Sequence, residues 1–333
     1  MYGIVAAALI AALITAGLTP LVLRWSERLG AVDQPGERRV NVAPMPRLGG
    51  IAIYIGFLVA VLLTVSARQL ARSGQHTWSV QVVGVIVAVT FIALTSLIDD
   101  LKNLSAKWQA LAIVAAALIL VAFGIRIQGV TNPLSSAFGT SYNPNLDWRS
   151  LSRGLSVFIT VVWVFIVTKT VDAIDGVDGL AAGVCAIAAA TLALMSTLLH
   201  LPTLALMSAA ITGACLGFLR FNYHPAKIIM GTIGAQVLGL TLAAISIMGA
   251  FKVATAVSVL VPVLVLGVPI FDFTHVLARR LLERAPLTVA DKRHLHHRLL
   301  ERGWNQRQVV WFIYGVAIAL SVTALVIFQA RGR

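Results

Sequence analysis

The stretch "VTKTVDAIDGVDGLAAG", residues 167–183, carries Lys169, Asp172, Asp175 and Asp178 between two long apolar runs. A charge at membrane depth costs at least about 2–3 kcal/mol, so ionisable residues kept there point to function. The three aspartates recur every third residue, which lines them along one flank of a helix, and Gly176 and Gly179 leave room beside them. Like charges this close raise one another's pKa unless a cation intervenes. A divalent ion shared between carboxylates and substrate phosphates meets that need, and Mg²⁺ is the hard cation suited to it, with Mn²⁺ as its substitute. Lys169, one turn before Asp172, is a cation of the chain's own.

Four other segments carry polar residues of the same kind. In "LIDDLKNLSAKWQ", Asp99 and Asp100 end an apolar run and Lys107 follows. Adjacent acids diverge on a helix, so one is expected to face a cavity and the other a helix end or a basic partner. In "DQPGERRVNVAPMPRLGG", Arg38, Arg39 and Arg47 are available to a phosphate, Pro35, Pro44 and Pro46 stiffen the backbone, and Gly49-Gly50 permit close approach. "RFNYHPAKIIMGTIGAQVLG" places Asn222, His224 and Lys227 ahead of a glycine-broken helix start, whose free N–H groups favour phosphate. "PIFDFTHVLARRLLERAPLTVADKRHLHHRLLERG" holds Asp272, His275, His294, His296, His297 and Arg298. Its histidines lack a complete zinc ligand set, which leaves anion recognition as the better reading.

The elements that must position these residues are membrane helices. The 333 residues are 59% hydrophobic and 12% charged, with a mean hydropathy of +0.89, far from the balance of a water-soluble domain. Runs long enough to cross about 30 Å of hydrocarbon fall near 3–23, 48–66, 79–98, 108–125, 155–171, 179–199, 202–219, 228–250, 253–272 and 308–328. The expected fold is all-α, a polytopic bundle of about ten or eleven spans. The first run lacks a basic leader and reads as a retained span. The run at 253–272 is expected to break near Pro269, its second half lying at the membrane surface. Cys185 and Cys215 sit inside apolar runs and read as packing residues.

One alternate set of loops carries about twice the Lys and Arg of the other, which places that set in the cytoplasm and both termini outside. Every carboxylate except Asp147 falls on or beside those same loops, an asymmetry that topology does not require. The active site is therefore expected on the cytoplasmic face of a single domain, 1–333, with 273–306 as a cytoplasmic histidine-rich, basic loop within it. Topology and anionic ligands account for the basic pI without a nucleic acid partner.

Taken in order, "DQPGERRVNVAPMPRLGG", "IDDLKNLSAK", "DAIDGVDGLAAG", "NYHPAKIIMG" and "PIFDFTHVLARRL…ADKRHLHHRLLERG" resemble the polyprenyl-phosphate N-acetylhexosamine-1-phosphate transferases of bacteria, over nearly the whole chain. The histidine-loop form is more similar to the N-acetylglucosaminyl branch than to the muramoyl-pentapeptide branch. The resemblance implies a multi-pass inner (plasma) membrane enzyme that uses Mg²⁺ to transfer sugar-1-phosphate, GlcNAc-1-phosphate by preference, from a UDP-sugar to polyprenyl phosphate with release of UMP. It implies Asp99 and Asp100 as the catalytic acidic pair, one of them the base toward the lipid phosphate, and Asp175 and Asp178 as catalytic, metal- and nucleotide-binding residues. His294, His296, His297 and Arg298 would hold the sugar or its pyrophosphate, with Arg47, Lys107, Asn222, Lys227 and Asp272 as further substrate-binding residues. A homodimer is compatible with this reading.

Three departures from the family pattern involve four positions. Lys169 and Asp172 stand where two asparagines are usual, Asn41 where histidine is usual, and Thr232 where an aspartate follows "MG". The expectation drawn from this is that Asp172 replaces the lost carboxylate as a metal ligand. The alternatives are a catalytically altered or inactive relative that binds polyprenyl phosphate, and an ion-coupled transporter.

Overall fold

The computed structural model describes residues 2–33, 44–73, 78–131, 148–250, 263–283 and 294–331. Among them are eleven helices: α1 (Tyr2–Arg28), α2 (Gly50–Ser73), α3 (Val80–Lys102), α4 (Ala106–Ala122), α5 (Arg153–Ile174), α6 (Leu180–Leu198), α7 (Pro202–Asn222), α8 (Gly231–Ala250), α9 (Gly267–Leu282), α10 (Leu295–Glu301) and α11 (Gln306–Arg331). Two short antiparallel ribbons join their ends. β1 (Val32–Asp33) pairs with β2 (Met45–Pro46), and β3 (Gly129–Thr131) with β4 (Trp148–Ser150).

Eight helices, α1, α2, α3, α5, α6, α7, α8 and α11, are long and apolar enough to cross a membrane. The protein is a polytopic helical bundle. Of the ten expected runs, 108–125 forms α4, an apolar helix of 17 residues. The run at 253–272 starts outside the described residues, and its last part is the opening of α9. The break expected near Pro269 is a turn on Leu266. Pro269 then falls in the first turn of α9, where a missing N–H forfeits no helical bond.

α8 is the central helix, packed against α2, α3, α4, α5, α6 and α7. Its span is 83% buried inside the protein, against 22% for the peripheral α1. Helices apolar all round are suited to that inner position. Without a hydrophobic drive between helices in lipid, small residues let backbones approach. Gly213 and Gly217 on α7 do so against α1, where a Cβ would fall 1.9 Å from the Ala8 carbonyl and 2.4 Å from that of Ala12. Gly50 likewise abuts Gly234 at the start of α8, the close approach expected of Gly49-Gly50.

Ser26 near the end of α1 and Arg307 at the start of α11 both reach the end of the bundle that carries the aspartates, through Arg47 and His224. The opposite ends of these helices, at Tyr2 and Arg331, therefore share the far side of the bundle.

Candidate active site

α3 stops at Lys102 because Asn103 takes a left-handed conformation, φ 51°, and returns its N–H to the Asp99 carbonyl at 2.7 Å. This leaves two adjacent carboxylates at the helix end, pointed to different partners. Asp99 accepts from Leu104 N–H at 2.8 Å and from the Gln109 amide at 2.9 Å, which fastens the start of α4. Asp100, 2% exposed, accepts from the N–H groups of Thr232 and Ile233, each at 3.0 Å. It therefore caps α8 from outside, supplying an anion where four N–H groups and the positive end of the dipole need one. Gly231 has φ 67° and no room for a side chain, because the Arg47 carbonyl and the Asp100 carboxylate close over it.

Arg47 ties the same corner to the first loop. Its guanidinium donates to the Asp99 and Asp100 carbonyls, with Nε at 2.7 Å from the latter. It lies 3.9 Å from the Asp100 carboxylate and 4.0 Å from that of Asp33. Its backbone N–H is held by Ala31 and Ser26. Pro46, Gly49 and Gly50 bond to residues 229–230 through the main chain. The divergence expected of Asp99 and Asp100 is observed, with Asp100 taking both the helix end and the basic partner. Arg38, Arg39 and Asn41 lie outside the described residues.

α5 ends at Ile174, and the turn that follows holds the remaining acids. Asp172 is ion-paired with Lys169, and Lys169 also donates to Gln109 Oε1 at 3.2 Å. Asp178, 6% exposed, accepts from His224 Nδ1 at 2.8 Å and from Ala226 N–H at 3.1 Å. Asn222 accepts from Gly179 N–H at 3.0 Å and donates to the Ile228 carbonyl at 2.9 Å, while Tyr314 donates to the Gly179 carbonyl at 2.6 Å. Asn222 thus links the ends of α6 and α7.

Asp175 stands apart from these. Partly open to solvent, its side chain takes no hydrogen bond among the described residues. Desolvation, then the charges of Asp172, Asp100 and Asp178, push its pKa well above the usual 3.8. Its neighbours are carboxylates, and among the described residues it has no cation of its own.

The histidine segment converges on the same turn. Asp272 on α9 accepts from Leu295 N–H at 2.7 Å and His294 Nδ1 at 2.8 Å, capping α10. That bond swings His296 inward, so that a Cβ on Gly176 would meet its Nε2 at 2.9 Å. His296 is 1% exposed. Burial, with the neighbouring His297, lowers its pKa to about 3 against an opposing pull from Asp272. It is a neutral imidazole, packed parallel to His294 at 5.8 Å and tilted on His297 at 4.3 Å. Lys107, Lys227, His275 and Arg298 are exposed on the rim.

Beside Asp99 a cavity of about 270 Å³ opens between α3 and α4, with Phe91, Trp108, Gln109 and Gln236 in its walls. Gln236 accepts from Ser96 at 2.8 Å through Oε1, and its buried Nε2 has no partner among the described residues.

Gln109, Tyr314 and Gln236 were not among the residues singled out from sequence. A lone amide inside an apolar run was the available signal for Gln109 and Gln236. Among the described residues no three histidine, cysteine or acidic side chains are disposed to hold a metal ion by themselves. The donor set nevertheless suits Mg²⁺, which takes one or two carboxylates and completes its shell with water and substrate phosphate. Asp175, which takes no hydrogen bond among the described residues, would be the carboxylate free to hold it.

An apolar helical bundle whose acids, histidines and basic residues converge at one end defines an integral-membrane protein with a polar cluster at that end. Comparison with known proteins places it further: the model of glycosyl transferase family 4 matches residues 82–250, and the chain belongs to that family. It is 35% identical, over 99% of its own length and 86% of the relative's, to a Bacillus subtilis (strain 168) protein named "Probable undecaprenyl-phosphate N-acetylglucosaminyl 1-phosphate transferase". It is also 35% identical to the decaprenyl-phosphate N-acetylglucosaminephosphotransferase of Mycobacterium leprae (strain TN), over 97% and 84% of the two chains. The phospho-N-acetylmuramoyl-pentapeptide-transferase of Desulfotalea psychrophila (strain LSv54 / DSM 12343) is 30% identical, over 98% and 93%.

Proposed function

We propose that this protein is a phosphoglycosyl transferase of the bacterial plasma membrane that moves GlcNAc-1-phosphate from UDP-GlcNAc to a polyprenyl phosphate and releases UMP, initiating a cell-wall or surface glycopolymer. The relatives named for this reaction on undecaprenyl and decaprenyl phosphate support it. The structural observation that carries it is Asp175, an uncompensated carboxylate beside Asp100, Asp172 and Asp178. The excess of Lys and Arg on the loops at this end supports a cytoplasmic orientation for it, the side on which nucleotide sugars are found.

In the reaction an oxygen of the lipid phosphate forms a bond to the sugar-bearing phosphorus while the bond from that phosphorus to the UMP oxygen breaks. Both reactants are anions, so catalysis rests on positioning and on neutralising charge. A bound Mg²⁺ would supply positive charge between the phosphates. Asp175 would hold it, with Asp178 and Asp172 nearby. Asp178 also fixes the 224–226 loop, and Asp172 has its charge matched by Lys169. Asp100 acts through the backbone it caps. Asp99, which lines the apolar cavity, would be the carboxylate of the pair that faces the lipid phosphate. Neutral His296 offers the sugar or its phosphates a hydrogen bond rather than a charge, and Arg47, Lys107, Lys227 and Arg298 frame the approach of the anions.

The test is UMP release by the purified protein in nanodiscs, with UDP-GlcNAc, Mg²⁺ and undecaprenyl phosphate each omitted in turn. Release that needs all three is expected. No release with any UDP-sugar would leave the second reading, a silent lipid-phosphate-binding relative, which the Lys169–Asp172 pair and Thr232 favour.

A further inference from the structure

Lys169 is a cation on a membrane-spanning helix, and the chain of bonds that starts at it runs through three helices. From α5 its ammonium donates to Asp172 on the same helix and to Oε1 of Gln109 on α4 at 3.2 Å. Gln109 passes the connection on, its Nε2 donating at 2.9 Å to Oδ2 of Asp99 on α3. The other Asp99 oxygen accepts from Leu104 N–H at 2.8 Å.

An amide can face either way unless its neighbours decide. An ammonium only donates and a carboxylate only accepts, so an amide between them has one workable orientation, oxygen to the lysine and nitrogen to the aspartate. Without the lysine, the Gln109 oxygen loses the ammonium that seats it, and the side chain is held at its Asp99 end alone. The amide that fixes Asp99 Oδ2 is then less anchored, and Asp99 gains rotational freedom.

We infer that Lys169 is a positioning residue for Asp99: through the Gln109 amide it fixes the direction of the carboxylate that lines the cavity between α3 and α4. The claim rests on the transfer reaction proposed above, in which Asp99 faces the lipid phosphate. Lys169 touches no reacting atom in this scheme. It acts only through the orientation it imposes, and its ion pair with Asp172 anchors it for that purpose.

The experiment uses four forms of the full-length protein in nanodiscs: wild type, Lys169→Met, Gln109→Met and Lys169→Met/Asp172→Asn. The last removes both members of the ion pair, separating loss of orientation from loss of charge balance. Two readouts are taken, the kcat and KM of UMP release and the mass-spectrometric yield of Asp99 labelling by a hydrophobic carbodiimide. Each variant is expected to lose about ten- to a hundred-fold in kcat, the scale of one charge-assisted hydrogen bond, with the KM for UDP-GlcNAc nearly unchanged. Asp99 labelling is expected to rise several-fold in all three variants.

Recovery of kcat in Lys169→Met/Asp172→Asn would show that charge balance alone mattered and would overturn the inference. So would unchanged labelling of Asp99 in Gln109→Met. If the wild type releases no UMP while the labelling pattern holds, the transfer reading fails and the positional link from Lys169 to Asp99 stands. Should Lys169→Met not fold, Gln109→Met carries both readouts.

Discussion

Asp100 closes the N-terminus of a helix to which it does not belong: its two oxygens meet the N–H groups of Thr232 and Ile233 at 3.0 Å each. An asparagine there offers one acceptor and turns a second donor toward the remaining N–H. Asp100→Asn is therefore expected to lower the stability of the fold by about 1–3 kcal/mol, the cost of an unsatisfied buried group. Thermal unfolding in detergent checks it. An unchanged midpoint with lost turnover would mean that Asp100 acts in chemistry and not as a cap.

Asp175 predicts the opposite pattern. Its carboxylate gives up no hydrogen bond when neutralised and is relieved of its acidic neighbours. Asp175→Asn should melt at or above the wild-type temperature while UMP release falls at least about a hundred-fold. Mn²⁺ binding followed by electron paramagnetic resonance should weaken in parallel. A variant that turns over normally would move the metal site elsewhere.

His296 sets a pH dependence of stability. Its folded pKa, about 3, lies below the ordinary 6.5, so the unfolded chain binds the proton more readily between those values. The stabilising preference for neutral imidazole is complete above about 6.5 and is lost progressively as the pH falls toward 3. His296→Gln should flatten the unfolding midpoint across that window relative to wild type. Parallel curves for the two proteins would place the acid sensitivity in other groups.

Asp272 holds α10 through Leu295 N–H and His294. Asp272→Ala removes a helix cap worth about 1 kcal/mol. Amide exchange in residues 295–301 should accelerate, and the KM for UDP-GlcNAc should rise more than kcat falls. Exchange that stays slow would mean that packing of His296 alone seats the segment.

The chemistry of the acid end was more legible in the sequence than its wiring. Periodicity and hydropathy gave the helices, because lipid forces backbone polar groups to be satisfied within each span. The gathering of acids on alternate loops gave the end at which they meet. The divergence of Asp99 and Asp100 followed from helical geometry, and the i,i+3 spacing put Lys169 within reach of Asp172. The partner of Asp100 was not readable, since Thr232 and Ile233 contribute only backbone, which is the same at every residue. Gln109 escaped notice because a single amide on an apolar helix acquires meaning only when α3 and α5 bring Asp99 and Lys169 to its two ends. The break expected near Pro269 lies at Leu266, because proline fits the first turn of the helix that follows a break and so marks the break only to within a turn.

The histidine-bearing helix α10 reaches the acids through few attachments, chiefly the Asp272 cap and the packing of His296 near Gly176. The acids themselves are laced together by residues from other segments. Under the transfer reaction proposed above, donor choice and bond-making chemistry become separable: exchanging residues 294–301 with those of a relative is expected to change which UDP-sugar supports UMP release while the acids stay assembled.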